Sequence, residues 1–181
     1  MEPEPIKRLM LNENVVARAV GGWFENRGFT VKVITSRQRG YDIDATHQIT
    51  GQRWVLEAKG STSSKPETRQ FGVEGGSNTA YLGTSTAFHN AVAWTGREDL
   101  KEANIGIAIP ETEWFNIHSY KLHPACKLLG ISIFRVNHWG EIKTFSNIEN
   151  LDPRKRIFRP SLLLEQAETS PKNHSNRQRP D

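Results

Sequence analysis

The sequence predicts an α/β domain with a mixed central sheet flanked by helices, and three observations carry that expectation. A helical period precedes three short β-branched runs, a glycine-bearing turn joins the second and third runs, and the second half alternates strand and helix patterns. The first helix is expected over 13–27: Asn12 is a natural N-cap, Val16, Ala19, Val20, Trp23 and Phe24 recur at helical spacing, and Gly28 stands where a helix stops. Strands follow at 29–34, 41–46 and 54–59, each short, alternating or β-branched. Ile49-Thr50-Gly51-Gln52 predicts a hairpin between the second and third, centred on Thr50-Gly51. Residues 60–77 are rich in Gly, Ser and Thr and predict a long loop, a class that often carries function. A second helix over 78–94 would turn Leu82, Ser85, Phe88, Ala91 and Val92 inward. Strand 105–110, helix 112–129 and strand 131–136 form a βαβ pattern, which demands parallel pairing. A short closing strand, 141–145, follows the turn at Trp139-Gly140.

A chain of 181 residues with 36% apolar and 24% charged residues has room for one enclosed core. We divide it into an N-terminal extension (1–11), a domain (12–153) and a basic tail (154–181) whose Ser/Asn/Pro/Gln-rich end is expected to be disordered. No apolar run reaches the roughly 20 residues of a membrane helix, and residues 1–10 are too acidic and polar for a signal peptide. A cytoplasmic location without a membrane partner is therefore the expectation. Cys126, the single cysteine, excludes an internal disulfide and cysteine-cluster zinc sites, and burial in a helix is its expected fate. The tail holds seven Lys/Arg against three Asp/Glu, which accounts for the whole net charge of +4. A neutral body must bind phosphate through local arrangement, while the tail adds sequence-independent attraction to a polyanion.

The chemistry is concentrated in Gly40-Tyr41-Asp42-Ile43-Asp44-Ala45 and Leu56-Glu57-Ala58-Lys59. Residues two apart on a strand share a face, so Asp42 pairs in direction with Asp44, and Glu57 with Lys59. A hairpin centred on Thr50-Gly51 would set Asp44 opposite Glu57 and Asp42 opposite Lys59, bringing three carboxylates and one ammonium together. Ile43, Ala45, Leu56 and Ala58 would then face the core. An all-oxygen cluster of this kind suits Mg²⁺ or Mn²⁺, which takes its remaining ligands from water and phosphate. Without a cation, carboxylates so close repel one another, and at least one has its pKa raised.

An Asp opening one strand and Glu-x-Lys on the next, after a helix bearing a Glu, resembles the PD-(D/E)XK nuclease superfamily of restriction-endonuclease-like and Holliday-junction-resolvase-like proteins. The element order αβββαβ resembles that family's core, and the resemblance covers about residues 12–145. It implies a metal-dependent endonuclease acting on DNA, with RNA left open. Asp42 would be the metal-binding Asp, Glu57 the second carboxylate ligand, Lys59 the lysine at the attacking water, and the Ala58 backbone carbonyl would complete the metal site. Glu13 matches the helical Glu of the resolvase-like branch, and Asp44 is a neighbour or alternative ligand. Tyr41 departs from the family's proline at that position.

Plainer roles compete with each assignment. The Asp42–Asp44–Glu57–Lys59 group could be the solvated face of an exposed hairpin, and Glu13 a first-turn acid favoured by the helix dipole. Arg37 and Arg39 before Asp42, and Lys65 and Arg69 in the long loop, are candidate contacts to a nucleic-acid backbone that could equally be solvated. His89 could face the site, His118 and His123 lack the spacing of a metal pair, and Trp94, Trp114 and Trp139 could stack on bases if exposed. The rival functions are a nuclease-fold nucleic-acid-binding or assembly subunit with little cleavage of its own, and a small structural protein docking through its tail. No recognition domain is readable, so specificity would come from loops or a recognition subunit. Cutting both strands would favour a homodimer.

Overall fold

The computed structural model describes residues 8–34 and 40–145. Arg37, Arg39 and the tail over 154–181 lie outside the described residues. The described chain forms α1 (Glu13–Glu25), β1 (Phe29–Val33), β2 (Ile43–His47), β3 (Arg53–Ala58), α2 (Ser77–Thr95), a 3-10 turn (Glu98–Leu100), β4 (Ala103–Pro110), α3 (Glu113–Leu128), β5 (Ile131–Val136) and β6 (Ile142–Phe145). The strands lie in the sheet in chain order, antiparallel at β1/β2, β2/β3 and β5/β6 and parallel at β3/β4 and β4/β5. Mixed pairing follows from the connections. Short turns join the antiparallel neighbours β2/β3 and β5/β6, whereas α2 and α3 carry the chain back to start parallel ones. No helix among the described residues is long and apolar enough to cross a membrane.

The two sheet faces bury different sets. On one, α1 packs Val16, Val20 and Phe24 against Ile43, Ala45, Trp54, Leu56, Ala58 and Phe134. On the other, α2 and α3 cover Val55, Ile105, Ile107, Ile109, Ile131 and Ile133. β4 and β5 are covered on both faces; β4 reads as a nearly continuous apolar run, whereas β5 also buries Ser132 and Arg135. Asn12 caps α1 by accepting a 3.0 Å bond from the Val15 amide. Cys126 is buried on α3, as expected.

Two expectations need correction. The β2/β3 register pairs Asp44 with Val55 and Ile43 with Leu56, two residues away from the predicted alignment. The turn is centred one residue earlier: the His47 amide donates to Gln52, and the Gly51 amide to His47, with Gly51 at φ +67° as the last of four loop residues. The His47 ring reinforces that closure, its Nδ1 accepting from the Thr50 amide at 3.2 Å. A two-residue slip preserves which face each side chain occupies, so the apolar set stays on the α1 side. The second correction concerns Leu82 on α2, which is 55% exposed: the helix buries Ala80, Thr84, Ala87, Ala91 and Trp94, with Phe88 and Val92 of the expected set packed partly buried against the same core. Small side chains let this helix lie close to the sheet, and that outweighs the burial of one leucine.

The chain leaving β3 is tied to the start of α1. The Ser61 amide donates to Leu11 at 2.8 Å, and Asn12 bridges Thr62 in parallel. Leu11 is fully buried and Leu9 packs against the same core, while Arg8 and Met10 are exposed. Gly60 makes the approach possible, because a Cβ there would fall on the Asn12 and Glu13 backbone, within 2.8 Å of Asn12 Cα. We expect Gly60→Ala to destabilise the protein by roughly 2 kcal/mol or more, as overpacking against backbone does. Gly22→Ala, in α1 with open space around the new methyl, should gain about 0.5–1 kcal/mol. Denaturant unfolding of both variants checks the pair, and equal effects would contradict the close approach at Gly60.

Candidate active site

Asp42 stands immediately before β2 and is fastened on both sides. Its amide donates to the Leu56 carbonyl at 2.9 Å and its carbonyl accepts from the Ile34 amide at 2.8 Å. Its Oδ2 accepts a 2.7 Å bond from the Ala58 amide. The observed register, carried one residue past its last pair, sets Asp42 level with Glu57. Glu57 points to the α2 side and is 6% exposed. Its Oε1 accepts from Lys59 Nζ at 2.6 Å and from Asn90 Nδ2 at 3.0 Å. Lys59 follows β3, held by its amide to the Ala108 carbonyl at 2.9 Å. Its Nζ also lies 3.5 Å from Glu13 Oε2. The Gly60 contact thus brings the first turn of α1 to the end of β3.

Of the predicted site residues, the structure brings together Asp42, Glu57, Lys59 and Glu13, with the Ala58 peptide against Asp42. It does not bring Asp44 to them. Asp44 forms a two-bond pair with Arg53, Nε to Oδ1 at 2.9 Å and NH2 to Oδ2 at 2.7 Å. The register explains this: Asp44 lies two residues along β2 from Asp42, level with Val55 and diagonal to Arg53. The group is not a solvated hairpin face, because α2 covers it and Glu57 is buried. Lys65 and Arg69 are exposed on the long loop.

The other candidates resolve individually. His89 is exposed, and α2 presents Asn90 to Glu57 in its place. Asn90 was legible only as a neighbour of Ala87 and Ala91; the expected phase of α2 drew attention to Phe88 and Val92 instead. His118 lies 3.1 Å from Ser77 Oγ, and the His123 ring meets Phe145 edge-on. Trp94 is buried against Tyr41, while Trp114 and Trp139 are exposed. Tyr41 therefore has a packing role at the end of α2, one that proline could not fill.

The electrostatics are unbalanced. The Asp42 carboxyl is pushed up to about 6, first by burial; the Ala58 amide pulls the other way, and the charges of Glu57 and Glu13 add to the rise against Lys59. For Lys59, burial works against the ammonium, but the bond to Glu57 and the charges of Glu57, Glu13 and Asp42 outweigh it and hold its pKa above the ordinary value. This environment favours the ammonium form and sets a positive charge beside the carboxylates. By contrast, burial pushes the Cys126 thiol up to about 11, which keeps it unreactive.

Among the described residues, no three His, Cys, Asp or Glu side chains group closely enough to cage a metal unaided. The donors at Asp42 and Glu57 are nevertheless hard carboxylate oxygens with one ammonium to offset three carboxylates. That set fits a divalent cation such as Mg²⁺, which is usually held by one or two carboxylates and completes its shell with water and phosphate. No family model, no curated protein and no solved structure matches the chain.

The Asp42 pKa makes stability depend on pH. A carboxyl with a folded pKa above its unfolded one stabilises most below the unfolded value, near 3.8, and loses that contribution as pH rises through about 6. In metal-free buffer Asp42→Asn should therefore match wild type near pH 4 and exceed it by roughly 2 kcal/mol at pH 7. Urea unfolding across that range checks this, and a difference that does not change with pH would contradict the assignment.

Proposed function

We propose that the protein is a metal-dependent nuclease, a phosphodiester hydrolase acting on DNA, built on a restriction-endonuclease-like core. One observation carries the reading: Asp42, Glu57 and Lys59 meet at adjacent strand ends, with Glu13 entering from α1. Asp42 and Glu57, with the Ala58 carbonyl, are the groups that would hold Mg²⁺ or Mn²⁺. When bound, that ion lowers the pKa of water and offsets charge developing on the phosphodiester. Lys59, which rests between Glu57 and Glu13, would turn from Glu57 when the ion is bound, orient the attacking water and stabilise the extra negative charge of the transition state. Glu13 is 35% exposed beside Lys59 and is the carboxylate placed to accept the water's proton. The water oxygen attacks phosphorus, the bond to the leaving oxygen breaks, and solvent protonates the leaving group.

DNA is the proposed substrate, RNA the alternative, and the basic tail read from the sequence adds attraction to either. A homodimer, or a partner that supplies recognition, would complete a double-strand cut. A second reading is a nuclease-fold binding or assembly subunit that does not cleave. It is favoured by the 2.6 Å bond between Lys59 and Glu57, in which each group neutralises the other without a metal.

Nicking of supercoiled DNA with and without Mg²⁺ or Mn²⁺ separates the two. We expect Asp42→Ala and Glu57→Ala to abolish metal-dependent nicking in folded protein. Lys59→Met should lose at least roughly 10²-fold in rate, the lower end of what one preorganised donor to transition-state charge contributes. Metal binding by Lys59→Met, read by calorimetry, should persist or tighten because a nearby positive charge is gone. Wild-type rates in folded Asp42→Ala would overturn the site, and absence of cleavage on every substrate would favour the subunit reading.

A further inference from the structure

We propose that Asn90 is a positioning residue that holds the metal-binding oxygen of Glu57 in place, an inference that rests on the metal-dependent reading above. The terminal torsion of a glutamate side chain is broad and roughly two-fold, so a carboxylate at the end of a strand swings unless donors fix it. Glu57 has donors from two elements. Lys59 Nζ comes from its own strand end at 2.6 Å, and Asn90 Nδ2 comes from α2 at 3.0 Å. Both fall on Oε1, which leaves Oε2 as the oxygen presented to a cation.

The two donors have different duties. Lys59 is shared, since Glu13 also lies 3.5 Å from its Nζ, and it must turn from Glu57 to engage water and phosphate. Asn90 has no such second task. It is carried by a helix whose small residues Ala80, Thr84, Ala87 and Ala91 are buried close against the sheet, so its amide is held by a rigid element. When Lys59 releases Oε1, Asn90 keeps the carboxylate from rotating. An amide suits this role because it donates without adding charge to an acidic site, and outer partners of metal-binding carboxylates act in this way.

A merely structural Asn90 would satisfy a buried carboxylate and nothing more. The two roles separate in Mn²⁺ binding, measured by calorimetry on the full chain, alongside metal-free melting and with Asp42→Asn as the control for the site itself. We expect Asn90→Ala to remain folded and to weaken Mn²⁺ binding by roughly 10-fold or more. Asn90→Gln, which keeps the amide one methylene further out, should recover part of that loss. If Asn90→Ala does not fold, Asn90→Ser, too short to span to Oε1, makes the same test. Unchanged or tighter Mn²⁺ binding in a folded variant, with Asp42→Asn defective, would overturn the role of Asn90 and leave the metal site standing. Wild type that binds no Mn²⁺ would overturn the metal site and the role of Asn90 together.

Discussion

Burying the carboxylate of Glu57 on a central strand, beneath a helix, is the constraint around which this molecule is arranged. An ionised carboxylate removed from water costs several kcal/mol unless donors and countercharge meet it. Lys59 and Asn90 meet it here, and each depends on wider architecture. Lys59 reaches Glu57 because the two are alternate residues at the end of β3. Asn90 reaches it because α2 lies close to the sheet on a face of small side chains. Glu13 joins because Gly60 lets the start of α1 touch the chain leaving β3.

These contacts leave the site with more negative than positive charge. The carboxyl of Asp42 is pushed up to about 6, chiefly by burial and further by the charges of Glu57 and Glu13. A protein built only for stability gains nothing from such a pair at neutral pH, since apolar residues of similar volume serve as well or better. A perturbed carboxyl grouped with other carboxylates beside a lysine is a common physical signature of function. Elsewhere on the sheet the acidic groups are balanced: Asp44 is matched by Arg53 and Glu111 by Lys143, at 2.7 Å in each case.

Much of this arrangement was legible in the sequence because it rests on local periodicity. The Asn12 cap, the apolar spacing through Phe24, the runs of β4 and β5 and the alternation about Glu57 each follow from neighbouring residues. What was missed depends on contacts between distant segments or on fine geometry. The hairpin centre moved by one residue because the His47 ring closes the turn, and with it Asp44 passed from the site to Arg53. The phase of α2 was set by close approach to the sheet, which favours alanine over the more hydrophobic Leu82 and turns Asn90 toward Glu57. The link from Leu11 to Ser61 joins segments fifty residues apart, and no local pattern announces it.

The central claim is that Asp42 and Glu57 form a divalent-cation site whose lysine is displaced when the ion arrives. Anomalous diffraction from crystals soaked in Mn²⁺ tests it most directly. The account predicts a manganese peak bounded by Asp42, Glu57 Oε2 and the Ala58 carbonyl, with Lys59 Nζ withdrawn from its 2.6 Å contact on Oε1 and Asn90 still in place. No peak at these oxygens, with the Lys59–Glu57 pair intact at saturating Mn²⁺, would contradict it and identify the group as a structural ion pair.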